Sequence, residues 1–213
     1  MAPLTREQIM TFYGSIMIDI WKRLDFIETV IAEVHVQRDD YRATMMGELC
    51  YLQMRRITEM LALAVLAAHN EIPGAATNKF LDDYNPDRIV GMLAKISPNG
   101  FPAPLIDPPD DDQFHDMIID KKSGLKPTEL QKIYRDCGDL IHVGCLKRAL
   151  KKDFRQVDFN QLIEWRKQLI HLLDVHAVFL PELGTLLICE RATDVEGGVH
   201  TMFSDVKPVS RPE

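Results

Sequence analysis

The chain has 213 residues, of which 46% are hydrophobic and 27% charged, and its formal net charge is −7. This balance supports a buried core and excludes a wholly disordered chain. The longest apolar run has nine residues, Met60 to Ala68, and a membrane-spanning helix needs about 18 or more, so no membrane span is expected. The acidic charge also excludes a nucleic-acid-binding surface that covers the whole protein, while leaving room for a local basic patch.

The N-terminus has Arg6, Glu7 and Gln8 where a secretory signal would need an uninterrupted apolar stretch. The cysteines show no Cys-x-x-Cys spacing and are too sparse for a disulfide framework. They are Cys50, Cys137, Cys145 and Cys189. We therefore expect a cytoplasmic protein whose thiols are reduced and mostly buried.

Two long helices are predicted in the N-terminal third of the chain. Thr5 and Gln8 have the spacing of a capping box, and apolar residues then recur at intervals of three and four as far as Val34. A second helix is expected from about residue 39 or 40 to residue 68. Its C-terminal part is apolar nearly all round, which indicates burial on several sides.

The middle of the chain is richer in helix-breaking residues. Pro73 and Gly74 end the second helix, and Asn85 followed by Pro86 predicts a shorter helix through Ile96. Residues 97–112 contain five prolines and no helical period. We expect this Pro-rich segment to be a surface loop.

Two more helices and a pair of strands are predicted towards the C-terminus. Thr128 with Gln131 predicts a helix that reaches about residue 151, and Asp158 with Gln161 predicts one that runs to about residue 179. Two strand-like segments separated by Gly-rich sequence then predict a β-hairpin at about 184–206. The expected fold is mainly α, a bundle of four or five helices with a C-terminal β-hairpin, in a single domain over residues 1–213.

The main candidate site lies in the segment RDCGDLIH, where Arg135 and His142 are seven positions apart. On a helix seven residues fall only about 20° short of two turns, so both side chains share a face, with Asp139 between them. Helical side chains lean towards the N-terminus, which takes Arg135 away from its own His142. Two antiparallel copies related by a twofold axis near Gly138 and Asp139 would place each arginine beside the histidine of the other copy, and Gly138 would permit close approach of the two backbones.

An imidazole beside a fixed cation suits RNA cleavage without a metal ion. The histidine can move the proton of the attacking 2′-hydroxyl or of the leaving oxygen, and the guanidinium can stabilise charge that grows on the phosphate.

This pattern of an arginine, a polar residue and a later histidine in a late helix of a small bundle resembles the signature of the HEPN superfamily (higher eukaryotes and prokaryotes nucleotide-binding). The resemblance implies a dimeric ribonuclease of toxin, phage-defence or RNA-processing type, or a binding module that has lost catalysis. It implies Arg135 and His142 as the catalytic pair, with Asp136 as the polar neighbour, and the helical spacing adds Asp139 to the candidate site. RNA and an antitoxin are the implied partners. Separately, residues 48–70 and 138–144 resemble segments of bacterial helical proteins without assigned activity, which bears on the fold only.

Two alternatives stand beside this interpretation. Arg135 and Asp139 have the i,i+4 spacing of an ordinary exposed ion pair, with His142 as a plain helical histidine. A second arginine and histidine pair, Arg166 and His171, is spaced by five residues, which puts the two side chains about 140° apart on a helix. We prefer the first pair as the candidate site.

A basic run follows the candidate histidine. Between residues 120 and 155 there are ten Lys or Arg residues against five acidic ones. The run is a candidate RNA-binding patch, because a phosphate backbone is attracted to clustered positive charge. The alternative is that these cations complement the dipole at a helix C-terminus. The candidate RNA-binding residues are Lys147, Arg148, Lys151, Lys152 and Arg155.

No metal or cofactor site is expected from the sequence. The acidic stretch at 107–120 has hard oxygen ligands but no EF-hand spacing, and a solvated loop accounts for it. His171 and His176 are five residues apart rather than four, and the chain has no His-Glu-x-x-His, P-loop, GxGxxG or Gly-x-Ser-x-Gly motif.

The sequence therefore favours two candidate functions. The first is a metal-independent endoribonuclease or RNA-binding toxin or defence protein that acts as a homodimer. The second is a non-catalytic helical module whose long N-terminal helices bind another protein or a second copy of the chain.

Overall fold

The computed structural model describes residues 4–36, 40–70, 85–106, 118–120, 122–142, 150, 156–192 and 197–205. These residues include helices α1 (Arg6–Val36), α2 (Asp40–Ala68), α3 (Pro86–Ile96), α4 (Pro127–Ile141) and α5 (Phe159–Leu173). They also include strands β1 (Ala103–Ile106), β2 (Ile118–Ile119), β3 (Val175–Leu180), β4 (Thr185–Arg191) and β5 (Val199–Asp205). The protein is thus mostly helical, with an antiparallel sheet formed mainly by its C-terminal part.

The predicted N-terminal capping box is confirmed. The Thr5 hydroxyl accepts a hydrogen bond from the Gln8 N–H at 3.2 Å, and the Gln8 side chain accepts one from the Thr5 N–H at 2.9 Å. Two N–H groups that the first turn of α1 cannot satisfy internally are thereby paired. Helices α1 and α2 then pack along each other. Both helices bury large side chains in the core, among them Tyr13, Met17, Trp21, Leu24, Met54 and Leu61.

The predicted start of α3 is confirmed, whereas that of α4 is shifted. The Asn85 side chain accepts a hydrogen bond from the Asp87 N–H at 2.9 Å, and Pro86 occupies the first turn of α3. Helix α4 begins at Pro127 with Lys126 as its N-cap residue. The Glu129 side chain accepts from the Lys126 N–H at 2.7 Å. Proline has no N–H to leave unpaired in a first turn, which favours this start over the predicted one at Thr128.

Helices α4 and α5 end earlier than the sequence pattern predicted. The prediction that α4 reaches about residue 151 is wrong, because the helix ends at Ile141 and His142 caps it in an extended conformation, with φ −84° and ψ 129°. Helix α5 starts as predicted, with the Asp158 side chain accepting from two backbone N–H groups. It ends at Leu173 instead of about residue 179, since residues 175–180 form β3.

The predicted hairpin is part of a larger sheet. Strands β4 and β5 pair antiparallel from Thr185 opposite Asp205 to Arg191 opposite Val199. Strand β3 pairs with the other side of β4, and the strand order is β2-β1-β3-β4-β5. The hairpin predicted at about 184–206 is therefore present as β4 and β5, but it belongs to a five-stranded sheet, in which β2 has only two residues. Three or more strands with one covered face are the arrangement that stabilises a sheet.

The Pro-rich segment is not all loop. Its residues 103–106 form β1, which pairs antiparallel with β3 through Ala103 opposite Ala177. Proline is tolerated at positions where it does not have to donate to the ladder, so Pro104 does not prevent pairing. Residues 107–112 of this segment lie outside the described residues.

The sheet and the helices share one core. Helix α1 lies against β5, α5 lies against β1, β3 and β4, and both α4 and α5 pack on α2. Cys50, Cys137 and Cys189 are buried free thiols, as predicted, and Cys145 lies outside the described residues. Over the described ranges, no helix has both the length and the apolar character needed to cross a bilayer.

Candidate functional site

The outer face of α4 is a polar stripe that contains the predicted pair. Leu130, Ile133, Tyr134, Cys137 and Gly138 point inwards, and they hold the helix on the core. Arg135, Asp139 and His142 are exposed. Arg135 and Asp139 are four positions apart on one face of α4, and His142, three positions further on, is the C-cap residue just beyond the last residue of the helix, Ile141.

The Arg135 guanidinium is held by neighbours on its N-terminal side. Its Nε donates to the Gln131 carbonyl at 3.2 Å and lies 3.8 Å from Oδ2 of Asp87 in the first turn of α3. The Gln131 side chain in turn donates to the Asp87 carbonyl at 3.0 Å. As expected from the lean of helical side chains, the arginine extends away from His142 of its own chain.

The alternative interpretation, in which Arg135 forms an ion pair with Asp139, differs from the contact that is observed. Among the described residues, the carboxylate paired with Arg135 is that of Asp87, from another helix. The Arg135 side chain is 62% exposed, so this pair is solvated and contributes about 0–1 kcal/mol of stability. The guanidinium remains accessible to a ligand from solvent.

His142 and Asp136 differ in their surroundings. His142 is exposed at the end of α4, where its backbone N–H donates to the Gly138 carbonyl at 3.1 Å. Asp136 is half-buried on the flank of the helix. Burial is the main cause that raises the pKa of the Cys137 thiol, and the nearby charge of Asp136 raises it further. Of the two, only His142 lies on the stripe with Arg135.

Gly138 does not have the role predicted for it. The glycine is buried, and a β-carbon at this position would overlap Nη1 of Arg55 from α2. Nη2 of Arg55 donates to the Tyr134 hydroxyl at 2.7 Å, and its guanidinium stacks 4.2 Å from the centre of the Tyr134 ring. The close approach that glycine allows is therefore used within the chain, between α2 and α4. An antiparallel pair of α4 helices would have to meet through the exposed stripe instead.

The other predicted charged features are mostly outside the described residues. These are Lys147, Arg148, Lys151, Lys152 and Arg155 of the basic run, together with the acidic residues at 107–116. Asp120 is described, and its carboxylate accepts from the backbone N–H groups of Lys122 and Ser123. In the part of the chain that the structure describes, no three His, Cys, Asp or Glu side chains converge as a metal site would require.

Two histidines are completely buried and hold elements together. Nδ1 of His69 lies 2.7 Å from the Val65 carbonyl, and the ring packs so closely on Gly100 that a β-carbon there would overlap Nε2. His176 of β3 lies between the Tyr13 hydroxyl and the Leu173 carbonyl. Neither imidazole reaches solvent, so neither is placed to act on a substrate.

Arg166 and His171, the second arginine and histidine pair, contact different parts of the structure. Arg166 points to α1, where its Nε donates to the Leu24 carbonyl at 3.0 Å and its Nη2 pairs with Glu28 at 2.6 Å. Nε2 of His171 lies 2.9 Å from Oγ of Ser123. This separation agrees with the 140° between them on the helix. The Ser123 contact was missed from the sequence, because 48 positions separate the two residues and no local motif marks them.

A third exposed feature lies on α2. Tyr41, Met45 and Leu52 are 76%, 54% and 39% exposed, respectively. Spacings of four and seven residues put them on one face of the helix, and aromatic and methionine side chains are enriched where proteins bind each other. We call these three residues the α2 apolar stripe.

The chain matches no protein-family model, no curated protein and no solved structure. The resemblance to the HEPN superfamily therefore depends on the motif that runs from Arg135 to His142.

Proposed function

We propose that the protein is a HEPN-like, metal-independent ribonuclease of the toxin or defence type, which acts on RNA as a homodimer. The observation that carries the proposal is the exposed polar stripe of α4, in which Arg135 and His142 face solvent together instead of being used in the core. A catalytic pair has to be reachable by a phosphodiester, and both groups meet that condition.

In this reaction His142 takes the proton of a 2′-hydroxyl, and the 2′-oxygen attacks the adjacent phosphorus. The bond from phosphorus to the 5′-oxygen breaks, and that oxygen receives a proton from the imidazolium. The guanidinium of Arg135 stabilises the negative charge on the non-bridging oxygens in the transition state. Asp87 orients the guanidinium, and Asp139 lies between the pair on the same face.

The proposal includes a twofold arrangement because each arginine extends away from its own histidine. Two α4 stripes in antiparallel contact would bring the arginine of one protomer to the histidine of the other. The basic run at 147–155, which follows His142 in the sequence, supplies clustered positive charge that would attract a phosphate backbone, and an antitoxin would be a protein that covers the shared site.

The direct test is cleavage of a labelled single-stranded RNA in the presence of a chelator. The wild type should cleave, and His142→Ala should lose about 10²- to 10⁴-fold in rate, as expected for removal of a general acid–base group. His200→Ala is the matched control, because His200 is an exposed histidine on β5. Absence of cleavage by the wild type, or equal loss in both variants, would contradict the proposal.

Subunit mixing tests the shared site. Arg135→Ala and His142→Ala are each inactive under the proposal, but in a randomly mixed sample about half of the dimers contain both chains and one complete site each. Activity should therefore return to about a quarter of the wild-type value. If both groups acted within one chain, mixing would restore nothing.

A second function is favoured by the α2 apolar stripe. A non-catalytic module that binds another protein, or a second copy of the chain, would use Tyr41, Met45 and Leu52 as its contact surface. Exposed apolar side chains aligned on one helix are typical of such surfaces.

Sedimentation of charge variants separates the two proposals. Met45→Asp should dissociate the dimer if the α2 apolar stripe is the interface, whereas Asp139→Lys should do so if the α4 stripe is. Met202→Asp is the control, since Met202 is a 51% exposed apolar residue on β5. Dissociation by Met45→Asp alone, with no RNA cleavage, would favour the module over the ribonuclease.

A further inference from the structure

A cavity of about 220 Å³ lies on the face of the sheet opposite to α1. Ala103 of β1 and Ala177 of β3 line it, and they are directly opposite each other in the antiparallel ladder. The preceding residue of β3, His176, contacts Tyr13 of α1. Successive residues of a strand point to opposite faces, so the two alanines face away from that helix. Their short side chains leave space above the sheet that larger residues would fill.

Aromatic side chains form part of the wall of this cavity. Phe179 is two positions after Ala177 in β3 and therefore points to the same face, and Phe101 precedes β1. The other apolar lining residues are Pro98, Pro102, Ile119, Leu125 and Pro127. Aromatic rings pack well against one another in offset or edge-to-face geometry, so this wall favours an aromatic ligand. The volume is that of roughly seven water molecules at about 30 Å³ each, which suits one ring with a short attachment.

Asp120 and Lys126 place opposite charges in the lining of the same cavity. Asp120 directly follows β2, and Lys126 is the exposed N-cap residue of α4. A hydrogen bond with the Ser123 side chain is the main cause that lowers the pKa of Asp120, and the backbone N–H groups of Lys122 and Ser123 lower it further. The carboxylate is therefore ionised at neutral pH. A carboxylate has about four acceptor sites and a lysine ammonium has three donors, so both groups can bind a charged ligand as well as their neighbours in the chain.

The segment that carries Asp120 is held in place by contacts within the chain. The Asp120 N–H donates to the Pro104 carbonyl at 2.9 Å, which ties the residue to β1. Its Oδ1 accepts from the backbone N–H groups of Lys122 at 2.8 Å and of Ser123 at 3.2 Å. Nε2 of His171 lies 2.9 Å from Oγ of Ser123, and it is the donor there because the serine proton is used on Asp120. These contacts fix the carboxylate before a ligand arrives, which reduces the ordering cost of binding.

We propose that the cavity binds a free aromatic α-amino acid, whose ring packs against Phe101 and Phe179. The ammonium group of the ligand pairs with Asp120, and its carboxylate pairs with Lys126. A zwitterion is favoured because an amine or an acid alone would match only one of the two charged side chains. An apolar cavity with a few polar groups that orient the ligand is the usual form of a small-molecule site.

The test is isothermal titration calorimetry of the full-length protein with L-phenylalanine as the probe. We expect a Kd below about 1 mM, as for a small ligand with one buried ring and two charged contacts. Phenethylamine lacks the carboxylate and hydrocinnamate lacks the ammonium group. Each should bind about 10-fold more weakly than phenylalanine, since each loses a hydrogen bond to a charged group. L-alanine keeps both charges but has no ring, and it should not bind measurably.

Ala177→Val tests whether the ring occupies the space over the two alanines. The added carbon atoms fill part of that space, and valine is favoured in strands, so the substitution should abolish binding while the sheet is retained. Val175→Ile is the matched control. It enlarges a side chain on the same face of β3, at a position that does not line this cavity.

Asp120→Asn and Lys126→Met test the two charged contacts. Asparagine keeps a carbonyl that can accept from the loop N–H groups, and methionine keeps an unbranched apolar stem. Each variant should bind phenylalanine about 10-fold more weakly. Asp120→Asn should leave the affinity for hydrocinnamate unchanged, and Lys126→Met should leave that for phenethylamine unchanged. Lys122→Met is the matched control, because Lys122 is exposed, contacts Asp120 through its backbone N–H and does not line the cavity.

Three results would overturn the proposal. The first is no binding of phenylalanine by the wild type at millimolar concentration, and the second is equal affinity for phenylalanine and phenethylamine. The third is equal affinity in the wild type and in Ala177→Val. If a lowered Tm shows that Ala177→Val does not fold, the pairing of each charge variant with its ligand still decides the outcome.

The inference does not depend on the proposed ribonuclease. RNA cleavage in chelator should be unchanged in Ala177→Val, and phenylalanine binding should be unchanged in His142→Ala. Failure of one proposal therefore leaves the test of the other intact.

Discussion

The phenolic oxygen of Tyr13 lies 2.8 Å from Nε2 of His176, and this contact joins the first helix to the centre of the sheet. Nδ1 of His176 lies 3.2 Å from the Leu173 carbonyl. A carbonyl can only accept, so Nδ1 carries the proton and Nε2 accepts from the tyrosine hydroxyl. Both ring nitrogens of a neutral imidazole are then satisfied with no water. Burial lowers the pKa of His176 from 6.5 to about 4.

The stability of the protein should fall as the pH drops below 6.5. The unfolded chain binds a proton at His176 below that value, while the folded protein does not until about pH 4. Over this window the free energy of unfolding should decrease by about 1.4 kcal/mol per pH unit from this group. Urea unfolding of the wild type and His176→Gln at pH 7 and pH 5 measures the contribution. An equal pH dependence in both proteins would contradict the assignment.

Tyr13→Phe should destabilise the protein by about 1–3 kcal/mol. The substitution keeps the ring but removes the hydroxyl, which leaves Nε2 of His176 buried without its donor. Urea unfolding at pH 7 gives the change. Tyr41→Phe is the control because Tyr41 is 76% exposed, and it should change the free energy of unfolding by less than about 0.5 kcal/mol.

Gly138→Ala and Gly91→Ala should have opposite effects although both glycines lie inside helices. A β-carbon at Gly138 overlaps the end of the Arg55 side chain, so alanine should displace the guanidinium from Tyr134. The lost hydrogen bond and cation–π contact, about 1–3 kcal/mol together, should outweigh the gain of up to about 1 kcal/mol in helix propensity. A β-carbon at Gly91 would lie 3.8 Å from Nε2 of Gln131, an ordinary van der Waals distance, and alanine should add up to about 1 kcal/mol of stability through helix propensity. Thermal unfolding of the two variants checks the signs, and a stabilised Gly138→Ala would refute the contact.

Cys50 and Cys189 should resist alkylation in the native protein. Both are buried, and burial raises the pKa of each thiol to about 12, so the reactive thiolate is scarce at pH 8. Iodoacetamide should modify neither residue until urea is added, when both should react at the rate of an ordinary thiol. Mass spectrometry of the peptides provides the measurement, and rapid labelling of either residue in the folded state would disagree with this packing.

Part of the fold could be predicted because its signals are local. The start of α1 follows from Thr5 and Gln8, and the start of α3 from Asn85 before proline, since a cap and its helix are within three or four residues of each other. Apolar residues at helical spacing also predicted α1 with its buried face, and an apolar run predicted α2 with burial on several sides. The polar face of α4 was predictable for the same reason.

The strands that flank α5 depended on distant partners. Residues 175–180 follow α5 with a single intervening residue, and only pairing with β1 and β4 on either side makes them a strand. Likewise, residues 103–106 form a strand in a Pro-rich segment because β3 lies next to them. A strand satisfies its backbone through other parts of the chain, so no local pattern could reveal either one.

The sequence by itself determined where α1, α3 and α5 begin, which face of α1 is apolar and that Arg135 and Asp139 share a side of α4, because each of these is a matter of spacing along one element. Only the tertiary structure decided that Asp87 holds Arg135, that Arg55 fills the space over Gly138 and that Ser123 meets His171. These contacts join residues far apart in the chain, and their geometry is set by how the elements pack in three dimensions.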